Sequence, residues 1–125
     1  MSKKILVVED QPEIRRLIRM TLEFENYQIS ESSTAMEGAA AVEQLRPDLL
    51  LLDVMTPGGM DGLELCRRVK QEGDGLYRPA VILLTARGQQ QDIDAGLAAG
   101  ADAYLLKPFS PLQLLDTVSS MLAVA

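Results

Sequence analysis

The chain contains no histidine and a single cysteine, Cys66. Without histidine it lacks the commonest general base and the commonest metal ligand, so histidine-based triads and zinc sites are excluded. One thiol cannot close an internal disulfide, and Cys66, within "GLELCRRVK", reads as a small buried helix residue rather than a reactive thiol. No apolar run approaches the roughly 20 residues of a membrane span. The opening "MSKKILVVED" sets two lysines before a short apolar run that ends in acids, which is not a secretory signal. A cytoplasmic location without membrane contact is therefore expected. Basic side chains are also in deficit, 12 against 18 acidic ones, for a net charge of −6. That balance opposes the counterion release behind nucleic-acid affinity, so no nucleic-acid partner is expected. Internal repeats and low-complexity tails are absent too. The 125 residues suit one domain, residues 1–125, with no linker or second domain following.

What is present is an alternation. Five short β-like runs, "KILVV", "YQIS", "DLLLLD", "AVILLT" and "AYLLK", are each followed by a segment of helical spacing. The pattern predicts βαβ units and an α/β fold built on a doubly wound five-stranded parallel sheet. The first and third to fifth runs are nearly continuous in Ile, Leu and Val, as in strands covered by helices on both faces. "YQIS" is half polar and reads as an edge. Pro12 suits a first helical turn, and Ile14, Leu17, Ile18 and Leu22 follow at helical spacing, with Arg15, Arg16 and Arg19 between them as a solvated face. Further helices are expected over 35–44, 62–70 and 89–99. Asp61 and Glu64 form a capping-box-like pair before the first turn of the third helix. The fourth carries Gly96 and few large apolar residues, so it should be weakly held. The fifth opens at "SPLQ", with Ser110 as N-cap and Gln113 reciprocal to it, and directs Leu112, Leu115, Val118 and Leu122 at the sheet. The loop "QEGDGLYRP" is longer than the usual connection.

In a parallel α/β sheet, ligands bind beyond the carboxyl ends of the strands. The first strand ends in Glu9 and Asp10, the third in Asp53, the fourth in Thr85 and the fifth in Lys107. Each alone is an ordinary cap or solvated charge. Together they put three carboxylates on one rim with one ammonium, and adjacent carboxylates persist in a partly dry site only when a cation offsets them. Magnesium suits that donor set, since it takes one or two protein carboxylates plus water and phosphate oxygens. A carboxylate can also attack phosphorus to give an acyl phosphate, provided cationic and hydrogen-bonding groups meet the phosphoryl oxygens.

At this point the chain resembles the receiver domain of bacterial two-component response regulators, on "VVED", "LLLLDVM", "PGGMDGLEL", "LLTA" and "GADAYLLKPF" in that order. The resemblance covers essentially the whole chain. It implies the flavodoxin-like (βα)5 fold with strand order 2-1-3-4-5, here as a stand-alone, CheY-like receiver. Asp53 is then the phosphoacceptor, Asp10 a direct Mg2+ ligand, Glu9 a second acid acting on the metal through water, and the backbone carbonyl of Met55 a further ligand. Thr85 and Lys107 hold the phosphoryl group, Tyr104 is a rotating aromatic switch paired with Thr85, and the Lys107–Pro108 bond is cis. The implied role is phosphorelay signal transduction. The protein is no conventional enzyme but catalyses its own aspartyl phosphorylation and dephosphorylation. The implied partners are a sensor histidine kinase or histidine phosphotransfer protein and a downstream protein target, with the chain a monomer or a weak phosphorylation-dependent dimer.

One departure from the family pattern is an extra glycine in "PGGMDG", which loosens the loop framing the metal site. Met55 and Arg87 flank the site as side chains unable to activate water, which suggests a long-lived acyl phosphate. A haloacid-dehalogenase-type phosphatase needs a second Asp where Met55 stands, and an FMN binder needs a phosphate loop where the chain has the acidic "EDQPE". The remaining alternative is a receiver-like interaction module that works without phosphorylation.

Overall fold

The aliphatic runs form strands β1 (Lys4–Val8), β2 (Gln28–Ser32), β3 (Leu49–Asp53), β4 (Ala80–Ala86) and β5 (Ala103–Lys107). Between and after them run helices α1 (Pro12–Leu22), α2 (Ala35–Leu45), α3 (Gly62–Gln71), α4 (Gln90–Ala98) and α5 (Pro111–Ala123). The structure, a computed structural model, describes residues 3–55, 59–71, 77–86 and 90–123. Arg87, Pro57 and Gly58 of the lengthened loop, and most of "QEGDGLYRP" lie outside the described residues.

All strands are parallel, as the alternation predicts, and lie in the order β2-β1-β3-β4-β5, so the winding reverses once, as the family resemblance implies. The leucine run of β3 is continuous because both faces of the central strand are covered. Leu50 and Leu52 join a cluster with Leu6, Val8, Leu65 and Leu83, while Leu49 and Leu51 join the opposite one with Ile5, Ile18, Leu114 and Val118. At β5 the expectation of two covered faces fails. This strand is the second edge of the sheet; Leu105 is buried, but Tyr104 and Leu106 are exposed.

Local chemistry sets the helix starts. Thr34 Oγ1 accepts from Glu37 N (3.1 Å) at α2, and Asp61 Oδ1 accepts from Glu64 N (2.9 Å) at α3. Ser110 and Gln113 exchange two bonds at α5, a full capping box. On α5, Val118 is fully buried and Leu115 and Leu122 pack partly buried against the core, as expected; the exception is Leu112, 67% exposed, with Leu114 fully buried in addition. Leu112 falls in the first turn on the outer side, because the 3.6-residue period that carries Val118 inward also selects Leu114, four positions earlier. In α4, Gly96 marks close approach to the sheet. A Cβ there would lie 1.9 Å from Leu83 Cδ1.

Candidate functional site

Register brings the strand ends level. Val8 pairs with Leu52, so Glu9 comes beside Asp53; Asp53 pairs with Leu84, the residue before Thr85; Thr85 pairs with Leu106, the residue before Lys107. The five polar residues read from the sequence therefore occupy one rim.

Glu9, Asp10 and Asp53 each direct a carboxylate oxygen to within 4.8 Å of the others. Glu9 and Asp53 are buried, and Asp10 is exposed. The ammonium of Lys107 lies between the two buried acids, 2.6 Å from Glu9 Oε1 and 3.4 Å from Asp53 Oδ2. Met55 contributes its backbone, which donates to Asp53 Oδ1 at 3.1 Å, while its side chain is 72% exposed. Gln11 N donates to Glu9 Oε2 at 3.1 Å.

Burial dominates the acidities. Desolvation pushes Glu9 up to about 7, against the pull of its bond to Lys107, and the neighbouring Asp53 charge adds to the rise. Asp53 is raised for the same reason, although Lys107 and the Met55 N–H favour its ionised form. One ammonium thus faces three carboxylates, two of them dry, an excess of negative charge that a hard divalent cation offsets. The donor set is all oxygen, which suits magnesium. Near the same strand ends, Thr85 Oγ1 is buried with no hydrogen-bond partner among the described residues, a polar group whose hydrogen-bonding capacity is unspent.

Tyr104 lies farther back. It pairs with Leu83, two positions before Thr85, on the exposed face of β5 and is 42% exposed. The Lys107–Pro108 peptide is cis. Sequence reading missed the arginines of α1. Arg15 and Arg19 reach across to Glu31 of β2 at 3.5 and 2.5 Å, and Arg15 Nη1 donates to the carbonyl of Glu9 at 2.7 Å. Spacing gave no signal for this, because the partner strand is distant in sequence. Cys66 is buried, its thiol pushed up to about 11 by desolvation, which fits an inert packing role.

A family model described as the response regulator receiver domain matches residues 5–119. The transcriptional regulatory protein ResD of Bacillus subtilis is 43% identical over 119 residues, 95% of this chain and 48% of that protein. The phosphate regulon transcriptional regulatory protein PhoB of Rhizobium meliloti is 42% identical over 122 residues, 98% of this chain and 53% of its own. The chain spans about half the length of these relatives. Among solved structures, a CheY-like response regulator receiver domain protein from Methanospirillum hungatei superposes with a TM-score of 0.88 at 33% identity, covering 98% of this chain and 95% of that one. The signal receiver domain of a signal transduction histidine kinase from Syntrophus aciditrophicus gives 0.87 at 34% identity, with coverages of 98% and 91%.

Proposed function

The chain belongs to the response regulator receiver domain family, a family of phosphorelay signalling, and on that premise we propose that Asp53 is its phosphoacceptor. A carboxylate oxygen of Asp53 forms the bond to phosphorus as the P–N bond of a phosphohistidine breaks, and the departing imidazole takes a proton from water. The donor is a sensor histidine kinase or a histidine phosphotransfer protein. The observation that carries the reading is the Lys107 ammonium held between buried Asp53 and Glu9, with Asp10 converging on the same point.

Asp53, Asp10 and the carbonyl of Met55 would hold magnesium, with Glu9 acting through water, and the ion would supply positive charge to the phosphoryl oxygens. Lys107 meets one of those oxygens and Thr85 Oγ1 donates to another, so both serve the transfer without being consumed. Thr85 also links the site to β5. Its movement toward a phosphoryl oxygen, together with reorientation of Tyr104, changes the surface made by α4, β5 and α5. Output passes to a downstream protein, in a cytoplasmic setting, with the receiver unit of residues 1–125 a monomer or a weak phosphorylation-dependent dimer. Among the described residues no helix is long and apolar enough to cross a membrane.

Incubation with acetyl phosphate and magnesium, read by intact mass, should add one phosphoryl group to the wild type. Chelator and Asp53→Asn should each prevent it. Equal labelling of Asp53→Asn would remove Asp53 from the role, and no labelling of the wild type would favour an interaction module that works without phosphorylation.

A further inference from the structure

The turn from β1 to α1 carries both acids of the proposed metal site, yet the helix that follows it lacks a side-chain N-cap. Gln11, the N-cap of α1, makes no capping bond with its side chain. The turn is held at four other points: Glu9 N donates to Ser32 O (3.1 Å), Gln11 N donates to Glu9 Oε2 (3.1 Å), Arg15 N donates to Gln11 O (3.1 Å), and Arg15 Nη1 donates to Glu9 O (2.7 Å). The last is a charge-assisted bond from a side chain only 21% exposed. The rest of the guanidinium faces Glu31 of β2, with Nε 3.5 Å from Oε1. Arg19 shares that carboxylate at 2.5 Å and donates to Ile29 O at 3.1 Å, but no bond links it to the turn.

We propose that Arg15 is a positioning residue for the metal site, fixing through the Glu9 carbonyl the turn that aims Glu9 and Asp10 at Asp53. The inference rests on the magnesium reading above. A planar fork of donors can serve the Glu9 carbonyl and the Glu31 carboxylate together, which a lysine ammonium on its flexible stem cannot reproduce. Asp10 is exposed, so its direction follows from the backbone that carries it, and that backbone is pinned on one side by the Glu9 carbonyl. Without Arg15 the carbonyl turns to water, the turn gains conformational freedom, and the convergence of three carboxylates has to be re-established at each binding event.

Isothermal titration with magnesium chloride tests this on wild type, Arg15→Met, Arg15→Lys and Arg19→Met, each also unfolded thermally in chelator. Arg15→Met should weaken magnesium binding about tenfold, in the range for groups that orient metal ligands. Arg15→Lys should show a smaller loss, and Arg19→Met should bind as wild type does although it removes a bond to the same Glu31. Unchanged affinity in Arg15→Met overturns the proposal, as does an equal loss in Arg19→Met, which would assign the effect to the α1–β2 strap. If Arg15→Met does not fold, wild-type affinity in Arg15→Lys overturns it. A wild type that binds no magnesium overturns the metal reading itself, an outcome distinct from the others.

Discussion

At the residue scale, the rim holds a carboxylate with no exposed surface. Glu9 is raised to about 7 by burial, above its ordinary value of 4.5. A carboxyl raised in the folded state binds its proton more tightly there than in the unfolded chain, so its contribution to stability is complete below about pH 4.5 and is lost as pH rises through about 7. Asp53 shifts in the same direction. In chelator, thermal stability should therefore decline from pH 5 to pH 8, and Glu9→Gln should flatten the decline. Magnesium requires ionised ligands, so the rise in melting temperature that it brings should be larger at pH 8 than at pH 5.5. Equal gains at the two pH values, or a stability that climbs with pH in chelator, would show that burial does not raise the Glu9 carboxyl in the folded state.

Among the elements, α3 and α5 meet the sheet in different ways. The start of α3 abuts the end of β3. Gly62 N lies 3.3 Å from Val54 O, and a Cβ on Gly62 would stand 2.1 Å from the carbonyl oxygen of Asp53. That neighbour is backbone and cannot swing away. Gly62→Ala should cost about 2 kcal/mol or more and slow acetyl phosphate labelling, since the strand end carrying Asp53 has to shift. Denaturant titration beside the mass assay checks both effects; full stability would mean that the helix start yields without moving β3. In α5 the contrast is between neighbours. Leu114→Ala should lose about 3 kcal/mol by opening a cavity against the sheet. Leu112→Ala, on the exposed side, should stay within about 0.5 kcal/mol of wild type. Matched losses would put Leu112 back on the packed face, as read from sequence.

At the scale of the whole molecule, the proposed response involves the side of the fold made by β5, α4 and α5. Tyr104, Leu106, Leu97 and Leu112 leave apolar surface exposed across β5, α4 and α5, and the buried hydroxyl of Thr85, near the end of β4, has no partner among the described residues. Adding beryllofluoride with magnesium as a phosphoryl mimic should change hydrogen exchange in α4, β5 and the start of α5. Changes confined to 53–62 would place the response in the loop after β3 alone.

The sequence by itself determined the element order, the parallel winding and the five polar strand ends, because continuous aliphatic runs and caps such as Ser110 with Gln113 are local signals set by backbone periodicity. It also placed Asp53 at the end of a strand whose leucines divide between two cores. Only the tertiary structure decided that Leu114 and not Leu112 packs inward in α5, that β5 is half exposed, and that Arg15 spans from α1 to Glu31 and the Glu9 carbonyl. The physical reason is common to all three. A strand's coverage, a helix's rotation about its axis and the partner of a long cationic side chain depend on neighbours far along the chain, and spacing within one segment carries no record of them.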